Sequence, residues 1–166
     1  STKMLELAKQ TLDTKGSVEQ STIEAWTYPP ETFDVVISRL ALHYVENLDD
    51  AFRNIYKTLK TNGRFIFSMV HPVITCFDKS RDNNELRTSW IVDDYFQHGA
   101  RKVRLMNDYV TQYHRTLESI LVSLQGAGLR LENLREGCPK PENFSDKNLY
   151  ERRMRIPLFL ILSVRK

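Results

Sequence analysis

Histidine can take or release a proton near neutral pH, and His71 is placed where that chemistry would be useful. It directly follows Arg64 to Val70, an apolar run typical of a buried strand, and it precedes Pro72. A histidine at the end of a strand, in a turn stiffened by proline, could orient a substrate or accept its proton. A structural histidine that bonds within its own loop explains the same residues, so both interpretations stay open.

A second candidate segment, S-R-L-A-L-H from Ser38 to His43, also lies at the end of a predicted strand. That strand is Phe33 to Ser38, whose β-branched, nearly continuous apolar run is typical of a strand buried on both faces. Open α/β sheets bind ligands beyond the carboxyl ends of their strands, so we expect a ligand near this segment. His43 could contact that ligand or pack behind the loop.

Between these segments the sequence predicts a helix. Asp49 and Asp50 can cap it and complement its dipole, and Asn62-Gly63 can end it with a left-handed turn. Its apolar face combines Phe52, Ile55, Tyr56 and Leu59. Two buried strands joined by a helix form a right-handed parallel crossover unit, so we predict an α/β fold.

The bulk properties favour an ordinary globular protein. The chain has 166 residues, of which 41% are hydrophobic and 27% charged, with a formal net charge of +3. We expect a single domain, residues 1–166. No apolar run approaches the roughly 20 residues that a membrane span needs. The opening residues carry no signal-peptide pattern, and we therefore expect a cytoplasmic protein that does not bind membranes.

Neither the cysteines nor the basic residues indicate a special site. Cys76 and Cys138 are far apart and have no C-x-x-C or histidine neighbour, so we expect reduced thiols, no disulfide framework and no metal. The densest basic cluster is Arg152, Arg153 and Arg155. Such clusters are usually solvated faces, and we expect no nucleic-acid partner.

The stretch from Phe33 to Val73 contains F-D-V-V-x-S-x-x-A-L-H-x-V and, after the helix, L-K-x-x-G-R-F-I-F-S. This pattern resembles the small-molecule branch of class I S-adenosylmethionine-dependent methyltransferases, in which it covers the fourth strand, the next loop and helix, and the fifth strand. The resemblance implies a Rossmann-like three-layer sandwich, whose mostly parallel sheet ends with an antiparallel last strand. It also implies S-adenosyl-L-methionine as cofactor and a small-molecule methyl acceptor.

The resemblance begins inside the family's domain. The opening S-T-K-M-L-E-L-A-K is similar to the segment after the family's second strand, which places Met4 near the cofactor. The chain has no G-x-G-x-x-G loop, so we expect an N-terminally truncated domain whose Phe33–Ser38 strand has an exposed edge. A non-catalytic, self-associating binding module, including a homodimer, is the alternative.

The resemblance also assigns residues to the cofactor. Ser17 to Trp26 corresponds to the third strand and its loop, where Thr22-Ile23-Glu24 replaces the family's Asp-Ala-Glu. Ile23 could pack on the adenine ring, or it could be a strand residue that faces the core. Ser38, Arg39 and Leu40 would lie beside the methionine part of the cofactor, largely through backbone atoms.

The remaining site residues are implied for the acceptor. Residues 76–107 correspond to a substrate lid, in which W-I-V-D-D-Y-F places Trp90, Tyr95 and Phe96 around an apolar pocket. A surface subdomain held by an aromatic cluster is the alternative. We predict a helix over Asp108 to Gln125, with Tyr113, His114 and Arg115 near its start and facing the cleft. His71 or His114 could remove a proton from the acceptor.

The carboxyl-terminal third follows the same family pattern. Gly126-Ala-Gly128 ends the predicted helix, and the alternation from Leu129 to Arg135 predicts a strand. Gly137 to Tyr150 is predicted as a loop. Arg155 to Val164 is predicted as the last strand, which the family inserts antiparallel to the others.

Overall fold

The computed structural model describes residues 2–12, 15–76, 89–105 and 108–166. Most of the described elements belong to one mixed α/β unit, and β3 and β4 form a separate hairpin. In chain order the elements are α1 Thr2–Leu12, β1 Phe33–Arg39, a 3₁₀ turn Leu42–Tyr44, α2 Leu48–Thr58, β2 Leu59–Val70, α3 Pro72–Thr75, β3 Gly99–Leu105, β4 Asp108–His114, α4 Leu117–Gly126, β5 Arg130–Glu136, a 3₁₀ turn Pro141–Asn143, α5 Lys147–Arg153 and β6 Phe159–Arg165.

The main sheet has the strand order β1-β2-β6-β5. Strand β1 is parallel to β2, whereas β6 is antiparallel to both β2 and β5. The antiparallel insertion of the last strand is therefore confirmed. The expectation of a mostly parallel sheet is corrected in one respect. Strands β1, β2 and β5 point the same way, but β6 lies between β2 and β5. Among the described strands, β1 and β2 are therefore the one neighbouring pair that is parallel.

The core lies on one face of this sheet, beneath α2 and α4. Phe52 of α2 packs against Phe65 and Phe67 of β2, and the rings of the two β2 residues stack with centroids 4.8 Å apart. All three side chains are fully buried, together with Leu160 and Leu162 of β6. Burial of such side chains is the main source of stability in a domain of this size.

The opposite face of the sheet is largely exposed. Val35 and Ile37 of β1 are 49% and 72% accessible, and Ile161 of β6 is 39% accessible. The prediction that Phe33–Ser38 is buried on both faces is therefore wrong, because helices α2 and α4 cover one side alone. The described residues supply two of the three predicted layers. No helix among them is long and apolar enough to cross a bilayer.

The β1–α2–β2 unit is confirmed, but its boundaries differ from the prediction. The helix is capped by Asn47, whose side chain accepts a hydrogen bond from the Asp50 amide, so the capping role assigned to Asp49 and Asp50 is wrong. The helix passes directly into β2 at Leu59. Asn62 is left-handed, with φ 63°, but it lies inside β2, where the register with β1 shifts.

Three further elements differ from the prediction. Asp108–His114 is a strand paired with Gly99–Leu105, and the helix begins only after Thr116, whose hydroxyl caps it. The third strand expected in Ser17–Trp26 is replaced by irregular backbone and a short turn. The predicted loop Gly137–Tyr150 contains the start of α5, and β6 begins at Phe159 instead of Arg155.

The end of α4 provides a matched pair of glycines for a stability test. Gly128 has φ +86°, and a Cβ there would lie 3.0 Å from the Tyr56 ring, whereas a Cβ on Gly126 would meet nothing within 4 Å. We expect Gly128→Ala to lower the free energy of unfolding by about 1–2 kcal/mol, since a left-handed alanine is strained. Gly126→Ala should raise it by about 0.4–1 kcal/mol.

Urea unfolding of the two variants and the parent chain measures both effects. Equal stability of the two variants would show that the left-handed conformation at Gly128 is not needed.

Candidate functional site

A cleft runs along β1 toward its carboxyl end. It encloses about 420 Å³ between β1 and the loop of residues 19–28, and we call it the β1 cleft. Apart from Met4 on α1, six residues are predicted to contact the cofactor. Four of these six line the cleft: Thr22, Ile23, Ser38 and Arg39. The sequence-based grouping of these two distant segments is thus reproduced by the geometry, although their contact with a cofactor stays a prediction.

Ser38 gives the β1 cleft an unsatisfied polar atom. Its side chain points to the same face of the sheet as Phe67, its register partner on β2. Its Oγ atom is buried and has no hydrogen-bond partner among the described residues. A buried hydroxyl without a partner costs free energy. A polar group of a bound ligand would remove that cost, so the cleft fits a partly polar ligand.

The backbone turns sharply just beyond Ser38. Leu40 has φ 52°, a left-handed conformation that is costly for leucine, and its amide donates to the Ser68 carbonyl at 2.9 Å. Strained residues of this kind concentrate at functional sites. The turn directs the chain away from the sheet at the edge where α/β proteins bind ligands.

The loop opposite β1 is held by its own hydrogen bonds. The Thr22 hydroxyl accepts from the Ala25 amide at 3.1 Å, and the Tyr28 phenol donates to the Ile23 carbonyl at 2.7 Å. Ile23 packs partly against the core and also lines the β1 cleft, and it lies in a turn instead of a strand. Its contact with the adenine ring stays a prediction. Met4 lies on α1 and is 68% exposed, and it is not among the described residues that line the β1 cleft.

His43 is buried between the ends of β1 and β2. Its Nδ1 atom accepts a hydrogen bond from the Val70 amide at 3.4 Å. Burial lowers its pKa to about 4, so the ring is neutral at pH 7. This placement favours packing behind the loop over contact with a ligand.

His71 is committed to the local structure after β2. Its Nδ1 atom accepts from the Val73 amide and caps α3, and its Nε2 atom lies 3.0 Å from a carboxylate oxygen of Glu136. Burial lowers the pKa of His71, and Glu136 partly opposes that shift. Both ring nitrogens are occupied, so the structural interpretation of His71 is the better supported one.

His114 is equally occupied. Its Nε2 atom donates to the Tyr95 carbonyl at 2.9 Å, which leaves Nδ1 to accept from the Thr75 hydroxyl at 2.7 Å. The side chain is fully buried, and burial lowers its pKa, although the Tyr95 bond opposes the shift. The predicted helical setting of His114 was wrong, because it ends strand β4.

A larger cleft lies between the β3–β4 hairpin and the first turns of α2 and α4. We call it the hairpin cleft; it encloses about 1030 Å³. Its described lining includes Tyr113 and Arg115, which the sequence assigned to the acceptor, and Glu24, which it assigned to the cofactor. Sequence reasoning missed Tyr44, Glu46 and His98, which also line it.

The three aromatic residues of the expected lid do not surround one pocket among the described residues. Tyr95 connects the hairpin to α4, since its carbonyl accepts from His114 of β4 and its phenol accepts from the Leu117 amide at 3.1 Å. Phe96 packs edge-on against Tyr95 and is otherwise 82% exposed. Trp90 lies under the Arg155 guanidinium, 5.3 Å from the ring centroid. Much of the expected lid, residues 77–88 and 106–107, lies outside the described residues, and Gly99–Leu105 is a strand instead of irregular chain.

Comparison with known proteins gives one consistent family. A family model described as a methyltransferase domain matches residues 1–67. An uncharacterised protein of Haemophilus influenzae is 31% identical over 147 residues, which are 82% of this chain and 58% of that protein. The chain therefore spans little more than half the length of this curated relative.

Two solved structures align over the whole chain. An S-adenosylmethionine-dependent methyltransferase from Mesorhizobium loti is 30% identical, with a TM-score of 0.88, and this chain covers 77% of it. A structure from Listeria monocytogenes is 32% identical, with a TM-score of 0.84, and this chain covers 76% of it. With the strand order and the position of the β1 cleft, these matches show that the chain belongs to the S-adenosylmethionine-dependent methyltransferases and has their Rossmann-like α/β fold.

Proposed function

We propose that this chain belongs to a methyltransferase that transfers a methyl group from S-adenosylmethionine to a small-molecule acceptor. The observation that carries the proposal is the buried, unpartnered Ser38 hydroxyl in the β1 cleft. It lies in the segment, 38–40, that the family pattern assigns to the methionine part of the cofactor.

Each cofactor residue has a distinct role in this proposal. Ser38 supplies a hydrogen bond, and the Leu40 turn positions the backbone that follows it. Ile23 and its neighbours in the loop form the apolar wall across the cleft. The cofactor brings a sulfonium, which is a good leaving group for methyl transfer. The protein then needs mainly to align the acceptor and exclude water.

The buried histidines are consistent with a reaction that needs little acid–base catalysis. Neither His71 nor His114 offers a free ring nitrogen, so we assign them to positioning the loop after β2 and the hairpin. If the acceptor must lose a proton, a group in the hairpin cleft is better placed to take it. His98 lines that cleft and is exposed.

The test is calorimetric titration of the chain with S-adenosylhomocysteine, comparing the parent with Ser38→Ala. We expect the parent to bind and the variant to bind about 3- to 10-fold more weakly, which corresponds to one hydrogen bond of about 0.5–1.5 kcal/mol. Urea unfolding should show no loss of stability in the unliganded variant, since the removed hydroxyl has no partner.

Ser163→Ala serves as the control, because Ser163 lies on β6 of the same sheet and does not line the β1 cleft. It should bind like the parent. Absence of binding by the folded parent chain would contradict the proposal for these 166 residues, which contain no G-x-G-x-x-G loop. Equal affinities of parent and Ser38→Ala would remove Ser38 from the site.

A self-associating binding module is the second candidate, and one observation favours it. The outer edge of β1 is not paired with any described strand, and its Val35 and Ile37 side chains are exposed. Exposed apolar edges promote pairing between chains. Sedimentation of the titrated samples over a range of concentrations distinguishes the candidates: association without S-adenosylhomocysteine binding would favour the module.

A further inference from the structure

The hairpin cleft has aromatic walls. Tyr44 lies just before α2, Tyr113 lies on β4, and the His98 ring lies at the start of β3. Tyr44 is exposed enough to contact a ligand, with 38% of its surface accessible. At about 1030 Å³ the cleft is as large as the binding sites of cofactors and drug-sized molecules.

Its charged groups are unevenly distributed. The carboxylates of Glu24, Glu46 and Asp49 all line the cleft. Among the described lining residues Arg115 is the single Lys or Arg, and its guanidinium donates to the carbonyls of Val45, at 2.8 Å, and Glu46. The same guanidinium lies over the Tyr113 ring, 5.7 Å from its centroid. Arg115 is therefore held by the loop before α2 and by Tyr113.

The negative potential reaches the aromatic wall. The pKa of the Tyr113 phenol is raised by partial burial and then by Glu46, and Glu24 adds to this shift, whereas Arg115 opposes it. An anionic ligand would face three carboxylates here, without an available side-chain cation among the described lining residues. A cation would meet opposite charge and the accessible Tyr44 ring, which together bind ammonium groups well.

We propose that the hairpin cleft binds a cationic group of the methyl acceptor, a protonated or quaternary amine, against the Tyr44 ring and beside Glu46 and Glu24. This assignment gives the chemical class of the methyl acceptor, and it rests on the proposed methyltransferase function. The cationic group is a recognition handle, and the atom that takes the methyl group is not assigned to it.

The test uses benzyltrimethylammonium as the probe, titrated into the ¹⁵N-labelled chain and followed by amide chemical shifts. We expect shifts at Tyr44, Glu46, Gly99 and Tyr113, and saturable binding. Benzyl alcohol, which is neutral, and phenylacetate, which is anionic, should bind at least fivefold more weakly. Comparable binding of phenylacetate, or no binding of the cation, would overturn the proposal.

Two charge-matched variants sharpen the result. Glu46→Gln should weaken binding of the cation about fivefold, since it removes one of the neighbouring carboxylates. Glu118→Gln removes the same charge from an exposed position on α4 that does not line the cleft, and it should bind like the parent. Equal effects of the two variants would show general charge attraction instead of a site.

A second titration separates this inference from the proposed function. S-adenosylhomocysteine lacks the sulfonium charge, so it should bind together with benzyltrimethylammonium if the cleft belongs to the acceptor. Competition between them would mean that the cation site belongs to the cofactor, and would overturn the acceptor assignment. Binding of S-adenosylhomocysteine without the cation leaves the proposed function standing, whereas binding of the cation alone leaves the cation site standing.

Discussion

Replacing Phe67 with alanine is expected to lower the free energy of unfolding by about 3–5 kcal/mol. Phe67 is 1% exposed and packs against both Phe52 and Phe65, so the change removes buried apolar surface and leaves a cavity. A domain of this size is stable by only about 5–15 kcal/mol, so the variant should lose a large part of its stability and unfold at a clearly lower urea midpoint.

Phe96→Ala is the matched control for this result. The same side-chain atoms are removed from an 82% exposed position, so we expect a change below about 0.5 kcal/mol. A similar loss in both variants would show that the stacked phenylalanines do not form the centre of the core. The unchanged slope of the urea transition would show that the denatured state is the same in both.

The second large effect is a loss of stability in mild acid that depends on His43. The pKa of His43 is lowered to about 4 by burial, against about 6.5 in the unfolded chain. The unfolded chain therefore binds a proton first as the pH falls. Above pH 6.5 the neutral His43 ring costs the folded state nothing. As the pH falls from 6.5 to 4, protonation of His43 in the unfolded chain lowers the free energy of unfolding by at most about 3 kcal/mol. The pKa values of His71 and His114 are lowered as well, which adds loss in the same direction.

His43→Asn tests how much of this loss of stability is due to His43. The asparagine side chain can still accept the Val70 amide hydrogen bond but does not titrate, so the variant should lose less stability than the parent between pH 7 and pH 5. Phe96→Ala, which changes no titratable group at an exposed position, should keep the parent's pH dependence. Two carboxylates with shifted pKa values titrate below this pH range. Hydrogen bonds from Lys60 and Arg165 lower the pKa values of Asp34 and Glu132, so their stabilising effect is lost only at lower pH. Identical profiles for the parent and His43→Asn would contradict the prediction.

Sequence patterns predicted the parts of the fold that depend on local periodicity. The β1–α2–β2 unit, the succession from α4 to β5 and the antiparallel last strand were all readable from apolar spacing and the family pattern. The segment 108–116 was misjudged because Tyr113 shares helical spacing with Leu117. The competing signals were the alternation Y-V-T-Q-Y and the capping residue Thr116, which together predict a strand followed by a helix start.

The site was less predictable, because its key partners are distant in sequence. Thr75, which satisfies His114, lies 39 positions away, and Glu136 lies 65 positions from His71. No local pattern reports such pairs, so both histidines resembled catalytic groups. The hairpin cleft was predicted only in part, through Tyr113 and Arg115. Tyr44 and His98 also line it, although they are far apart in sequence, and no local pattern indicates that.

The central position of β6 has a consequence for how the sheet can assemble. Its residues Phe159–Arg165 pair with both β2 and β5, and Arg165 is opposite Arg64. Strand β5 is therefore connected to the rest of the sheet only through β6 among the described strands. The hydrophobic edge of β2 stays open until β6 pairs with it, and pairing between strands that lie about a hundred residues apart in sequence is slow. We therefore expect the β2–β6 pairing to limit the folding rate of this sheet.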